Sequence, residues 1–382
     1  MIRCAECKGR GFCGLPRCPV TSRFHAQMKA VPPADRYQGS APSVFIGSYG
    51  YPDVRGGPLL VNDPDNPPDW LARGLSLEDV VGIRAGTIRG SSSPARFESP
   101  IQEIALSQRP VDVEVVFERP VRFDLTFDGT VAPVGLTGSL RNLDVLDNAS
   151  VDRAVDRVTS DTDLGAVESC TILRDADIDV YQIGKLMTAG LLGRKRRFVP
   201  TRWAITAVDD AVSTELKRRI FRNPVNSEIQ VFSGEVFGNR IVCILIPGDW
   251  KFEMIEIWGK NSLWGGETEA VVQDREGMKK SSYSPITGAY YSARLAVTEY
   301  LARTGRVGRA VVIRSVSSGY WAPLGTWVIR EASRRAMASP PVPCGTLAQA
   351  IDTASSLLGF SHWVRHSTLI PELKTQKTLF EF

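Results

Sequence analysis

Along the chain the spacing of hydrophobic positions changes, and each change marks an element. Val111-Asp112-Val113-Glu114-Val115-Val116-Phe117 places apolar residues at alternate positions, as a half-buried strand does. Val121–Phe127 repeats the pattern after Glu118-Arg119-Pro120, so the two predict a hairpin. From Glu228 to Trp258, three apolar runs separated by Gly238-Asn239 and Gly248-Asp249 predict an antiparallel meander. Its middle run, Ile241–Ile246, reads as a buried strand in which Cys243 packs as a small hydrophobe. Ala289–Ala302 is the clearest helix, with Tyr290, Leu295, Val297, Tyr300 and Leu301 near helical spacing. Helical spacing also covers Leu77–Val81, 151–158, 182–192, Trp327–Ala336 and Leu347–Leu358, and Asp209–Phe221 reads as an amphipathic helix ending before Pro224. Ala310–Val316 is a strand, and Val44-Phe45-Ile46 opens the body before a glycine-aromatic turn that reaches Tyr51. Residues 20–42 read as a basic, proline-bearing connector, and the proline-rich stretch 52–69 as a loop. There is no internal repeat and no Rossmann-type alternation. The fold class predicted is α+β, a largely antiparallel sheet with packed helices. Residues 1–30 would form a small metal-binding module, 43–365 a body of one or two subdomains, and 371–382 a flexible tail that Pro371 sets free.

Composition narrows the class. Hydrophobic residues make up 43% of the 382 and charged residues 23%, as in ordinary globular proteins. No apolar run is long enough to span a bilayer, and no apolar segment follows Met1, so the cytoplasm is the expected location. The formal charge of +4 permits a nucleic-acid partner without requiring one, but it is unevenly spread. Arg194-Lys195-Arg196-Arg197 and Lys217-Arg218-Arg219 with Arg222 are basic blocks, whereas 144–179 is acidic.

Four of the seven cysteines, Cys4, Cys7, Cys13 and Cys18, stand in a C-x2-C-x5-C-x4-C pattern. The first CxxC aims two thiolates at one point, and so short a segment cannot bury a core, so Zn2+ is the expected staple. An iron–sulfur cluster and disulfides are the alternatives, the latter disfavoured in a cytosolic chain.

Walker, G-x-S-x-G and H-E-x-x-H signatures are absent, and three histidines are too few for a His-rich centre. His362 and His366 read as flanking a packed end around Trp363. The candidates are polar loops. Arg84, Arg89 and Ser91–Ser93 suit a phosphate through guanidinium forks and hydroxyls, with a solvated turn as the plain alternative. Arg194–Arg197 running into Pro200-Thr201-Arg202-Trp203 sets a basic block beside a stacking plane. Ser281–Tyr291 opens the clearest helix, with Thr287 as its N-cap. Ser318–Gly325 sets Tyr320 and Trp321 in a turn, where aromatics are costly to expose without a contact. Asp209 and Asp210 follow Trp203–Val208, read as a buried segment, and N-capping the next helix is their expected job. One pocket is predicted from these loops: Arg84, Arg89, Ser91, Arg202 and Arg294 on phosphate, Trp203 and Tyr283 on a base.

At the C-terminus, Gln376-Lys377-Thr378-Leu379-Phe380-Glu381-Phe382 is similar to the peptide box that docks into DNA sliding clamps (PCNA). One tight helical turn would put Leu379 and Phe382 on one side as anchors, with Phe380 adding an aromatic and Gln376 bonding backbone. Four further runs complete a wider resemblance: the cysteine finger, Phe45–Pro52, Val199–Asp210 and Pro285–Arg294. In this order they resemble the archaeal Nre family of DNA repair proteins over essentially the whole chain. The resemblance implies a role in the DNA damage response with recruitment by the clamp, and no settled activity. The reading is therefore a DNA repair protein with a zinc module, a body binding nucleotide or nucleic acid, and a clamp-docking tail. Two others stay open: an enzyme on nucleic acid or nucleotides, a nuclease or transferase, and a non-catalytic adaptor.

Overall fold

The computed structural model describes residues 7, 9–12, 14–30, 35–61, 63, 65–122, 132, 134–263 and 267–375. Among them are twelve α-helices and two six-stranded sheets. The chain divides into two compact units, one built mainly on residues 17–212 and the other on the residues from Ser213 onward. The α+β class holds, with two sheets rather than one.

In the N-terminal unit the strands are β1 (Arg36–Ala41), β2 (Ser43–Ile46), β3 (Gly56–Leu60), β4 (Ile88–Ser91), β5 (Val111–Phe117) and β6 (Leu136–Val145), in the order β1-β5-β6-β4-β3-β2. Neighbours are antiparallel except β4 and β6. Val111, Val113, Val115 and Phe117 are buried, as the alternation predicts, each worth about 1.5–3 kcal/mol of hydrophobic stabilisation. The helices Glu98–Leu106 and Val180–Thr188 cover β2. The supposed hairpin partner of β5, 121–127, lies mostly outside the described residues, and β5 pairs with β1 and β6 instead.

Two stretches read as irregular are ordered elements. The connector contains the helix Pro19–Ala30, which starts on a proline as a first helical residue can. Val20, Arg23, Phe24 and Gln27 bury one side of it, and it packs on the helix Leu77–Gly86. It also contains β1, an edge strand with no apolar period, held by backbone pairing to β5. The proline-rich loop contains β3. A Cβ on Gly56 would lie 2.3 Å from Ile46 Cδ1, so glycine is what lets β3 approach β2.

In the C-terminal unit β7 (Ile229–Val236), β8 (Asn239–Ile246), β9 (Lys251–Trp258), β10 (Ala270–Glu276), β11 (Arg309–Val316) and β12 (Val342–Cys344) run in the order β10-β9-β11-β8-β7-β12. A turn with positive φ at Phe237 and Gly238 joins β7 to β8, the hand that suits a tight hairpin. The meander stops there. β11 lies between β8 and β9, antiparallel to the first and parallel to the second. Both neighbours are almost wholly buried, and a third apolar strand between them satisfies their inner edges.

The helix Gly288–Thr304 is buried on nearly every side. It carries one interior charge, Arg294, which is 1% exposed. Arg294 donates to Glu276 Oε2 at 2.8 Å and to Ser213 Oγ at 3.0 and 2.9 Å. Lys217 Nζ and Trp250 Nε1 donate to Glu276 Oε1 at 2.9 and 3.3 Å. Burial pushes the Glu276 carboxyl pKa up, but Arg294 and Lys217 outweigh it and hold the group below its ordinary value of 4.5.

The helix Leu369–Thr375 belongs to this unit, with Leu369 and Ile370 in its core. Pro371 sits in its first turn, where a missing N–H is tolerated, so the chain does not come free at that proline. Glu253, fully buried on β9, caps the helix by accepting from Thr368 N at 2.7 Å and Leu369 N at 3.2 Å. Among the described residues no helix is long and apolar enough to cross a membrane.

A carboxyl with a depressed native pKa stabilises the fold above its unfolded pKa and loses that contribution as pH falls through the native one. The C-terminal unit should therefore lose stability on acidification below about pH 4.5, and Glu276→Gln should flatten that dependence while lowering stability at neutral pH. Urea unfolding of the full chain at pH 3.5, 5 and 7, followed by tryptophan fluorescence, checks both.

Candidate nucleic-acid interface

The predicted pocket residues divide between the two units: Arg84, Arg89, Ser91, Arg202 and Trp203 in the first, Tyr283 and Arg294 in the second. Arg294 is the interior partner of Glu276 and presents no charge to solvent. Tyr283 is 61% exposed, its ring centroid 5.4 Å from that of Tyr291.

In the N-terminal unit the structure gathers several residues onto one surface. The helix that was expected from Asp209 begins at Thr201 and runs to Ile220, so Trp203–Val208, read as a buried segment, is its first part, with Trp203 and Ala207 exposed. Pro200 O accepts from Trp203 N at 2.8 Å and Ala204 N at 3.0 Å, setting the first turn. Thr201 Oγ1 accepts from Ile46 N at 2.9 Å. That bond ties the helix start to the end of β2, where the glycine-aromatic turn begins. Trp203 and Tyr51 then meet with ring centroids 5.0 Å apart and planes tilted by 57°. Both stay about half exposed, and Tyr49 beside them is 96% exposed.

Arg55 closes the turn. Its carbonyl accepts from Gly47 N at 2.9 Å, while its guanidinium donates to Ser91 Oγ and Ser91 O, both at 3.2 Å. The predicted Ser91 is thereby placed beside the turn. Arg202 is exposed next to Trp203. Of the basic block, Arg194 donates to Asp163 O at 2.8 Å and Arg196 to Leu191 O and Asp161 O, which leaves Lys195 and Arg197 exposed to supply its field. Arg218 and Arg219 pair with Glu215 of their own helix.

Two residues along β4 from Ser91, and so on the same side of the strand, lies Arg89. Its guanidinium sits 4.3 Å from the Phe45 ring centroid. Burial, reinforced by Arg84, lowers its pKa to about 10. Arg84 pairs with Asp65 at 2.9 Å and lies over Trp70. Sequence reasoning missed Phe45, Tyr51, Arg55 and Asp65. The glycine-aromatic turn was visible, but nothing local showed that it meets a helix start 155 positions on.

Other candidates resolve differently. Asp209 and Asp210 lie inside the helix Thr201–Ile220 and do not cap its start, Asp209 fully buried and Asp210 exposed. Tyr320 and Trp321 are buried, and Tyr320 Oη accepts from Leu324 N at 2.8 Å, so their turn packs on itself. Thr287 stands at the N-cap with φ +60° and makes no side-chain capping bond. His362 pairs with Glu269 beside the fully buried Trp363, the packed end expected. Of the cysteine module, Cys7 is buried and Cys18 half-buried at the start of Pro19–Ala30, while Cys4 and Cys13 lie outside the described residues. Among the described residues no three His, Cys, Asp or Glu side chains are grouped to hold a metal ion. The tail residues Gln376, Leu379, Phe380 and Phe382 also lie outside them.

Comparison with known proteins gives a consistent picture. The family described as Archaeal Nre, N-terminal matches residues 12–265, and Archaeal Nre, C-terminal matches 275–382. A relative named DNA repair protein NreB, from Archaeoglobus fulgidus, is 35% identical over 99% of both chains. DNA repair protein NreA of the same organism is 33% identical over 95% of each. DNA repair protein NreA of Haloferax volcanii is 34% identical over 91% of this chain and 88% of its own. No solved structure matches the chain.

Proposed function

The chain belongs to the archaeal Nre family, and on that premise we propose that it acts in DNA repair and touches DNA through the aromatic and arginine surface of its N-terminal unit. The observation that carries this reading is the exposed Tyr51–Trp203 pair, held beside Arg55 and Arg202 by the Thr201–Ile46 bond. Exposed rings are unfavourable in water unless they meet a partner. Unpaired bases offer flat faces to stack on, worth about 1–3 kcal/mol each, and the neighbouring cations attract the phosphates. Single-stranded DNA is therefore the preferred form, because a duplex hides its base faces. The relatives named for DNA repair support the setting.

Two further parts complete the reading. The tail, through Gln376, Leu379, Phe380 and Phe382, docks the protein on the sliding clamp PCNA. Cys4, Cys7, Cys13 and Cys18 hold one Zn2+. Cys18 fits this, since its thiolate would sit at the start of a helix, where the backbone dipole favours negative charge.

Trp203→Ala should weaken binding of single-stranded DNA by roughly tenfold and change the melting temperature little, because the ring is half exposed. Fluorescence anisotropy with a labelled oligonucleotide checks this, and unchanged affinity would remove the surface from the site. Deleting Gln376–Phe382 should abolish association with the clamp and leave the fold intact. Clamp binding that survives the deletion means that the tail is not the docking element. Native mass spectrometry should find one zinc per chain, lost in Cys7→Ser; iron or no metal would refute the zinc module.

A further inference from the structure

Beside the aromatic surface, the N-terminal unit has an open cleft walled by Leu59, Val61 and Ile83, with Arg84, Arg89 and Asp65 as its charged lining. Asp65 is engaged by Arg84. Apart from its backbone pairing in the sheet, Arg89 makes no hydrogen bond or ion pair through its guanidinium with any described residue. Among the described residues its guanidinium lies against the face of Phe45, and its charged neighbours in the cleft are Arg84, which opposes its charge, and Asp65, which favours it less strongly. A half-buried guanidinium with open donors is costly, and such groups are normally found paired.

A third cation acts on Asp65 from outside the cleft lining. Lys185 is half-buried, donates to Ser107 O at 3.1 Å, and has its pKa lowered to about 8 by burial, with Asp65 opposing the shift. The lining itself, Arg84 and Arg89 against Asp65, is left with one positive charge, and Lys185 further offsets Asp65.

We propose that the cleft binds a phosphate monoester, with Arg89 as the anchor and Arg84, held by Asp65, as the second cation. The charge favours a terminal phosphate, near −2 at pH 7, over the single charge of an internal diester. A planar fork with free N–H groups suits phosphate oxygens, and the Phe45 ring keeps that fork from turning away. Such a phosphate comes from a mononucleotide or from a 5′-phosphorylated DNA end. Only the second source rests on the DNA reading above; the open valence of Arg89 stands apart from it.

The test uses the full chain and an Arg89→Met variant. Inorganic phosphate, against chloride at equal ionic strength, should raise the melting temperature of the parent and not of R89M. R89M itself should melt at or above the parent temperature in chloride, because an apolar side chain removes the uncompensated charge. A 5′-phosphorylated single strand should bind roughly tenfold tighter than its 5′-hydroxyl form if the source is a DNA end, and thymidine monophosphate should outbind thymidine if it is a free nucleotide. Either preference, lost in R89M, supports the cleft. Neither preference in the parent, or either one retained in R89M, overturns it. Should R89M fail to fold, Arg89→Lys, which keeps the charge and loses the fork, decides: an undiminished phosphate response overturns the proposal. A parent that responds to phosphate and binds no oligonucleotide would sink the DNA reading and leave the cleft standing.

Discussion

A charge in the middle of a buried helix is the constraint on which the C-terminal unit depends. The helix Gly288–Thr304 is enclosed on nearly all sides, yet carries Arg294 at its centre. Enclosure is tolerable only because Glu276, at the end of the edge strand β10, meets it, and because Lys217, Trp250 and Ser213 use the remaining bonding capacity. Removing one member of such a set costs about 3–5 kcal/mol, since its partner is left charged and dry. The network therefore fixes where the helix, β10 and the second half of the helix Thr201–Ile220 lie within this unit.

What the sequence revealed follows from which forces are local. Where one face of an element is buried, the period shows. β5 alternates and was found, and β7, β8 and the helix from Gly288 were found within a residue or two. Where backbone pairing or close approach makes the element, no period is written. β1 is an edge strand without apolar alternation, and β3 depends on Gly56 fitting against β2. The position of β11 between β8 and β9 was illegible for another reason: hairpin geometry is local, whereas an inserted parallel strand comes from 50 residues further on.

The candidate site divides in the same way. Trp203, Arg202 and Ser91 were singled out by composition, and the structure sets them near Tyr51 and Arg55. Arg294 was drawn in by its motif, Pro285–Arg294, although its charge serves the interior. An arginine in a distinctive run looks alike whether it faces a ligand or a buried glutamate. Only the partner distinguishes them, and that partner lies outside the run. Asp65 and Phe45, which decide how Arg84 and Arg89 are held, are likewise remote from them in sequence.

The capping of the last described helix by Glu253 bears on geometry beyond the fold. A carboxylate from the middle of a sheet strand fixes where the helix Leu369–Thr375 starts, and Glu372 pins its side through Lys251 and Arg275. The seven residues that follow span at most about 25 Å when fully extended. A partner held by them, as proposed, would thus be leashed to one spot on the C-terminal unit, within roughly the width of a small domain. Under the clamp docking proposed above, so short a tether would set a high local concentration and would limit which stretch of DNA, threaded through that ring, the rest of the molecule could reach.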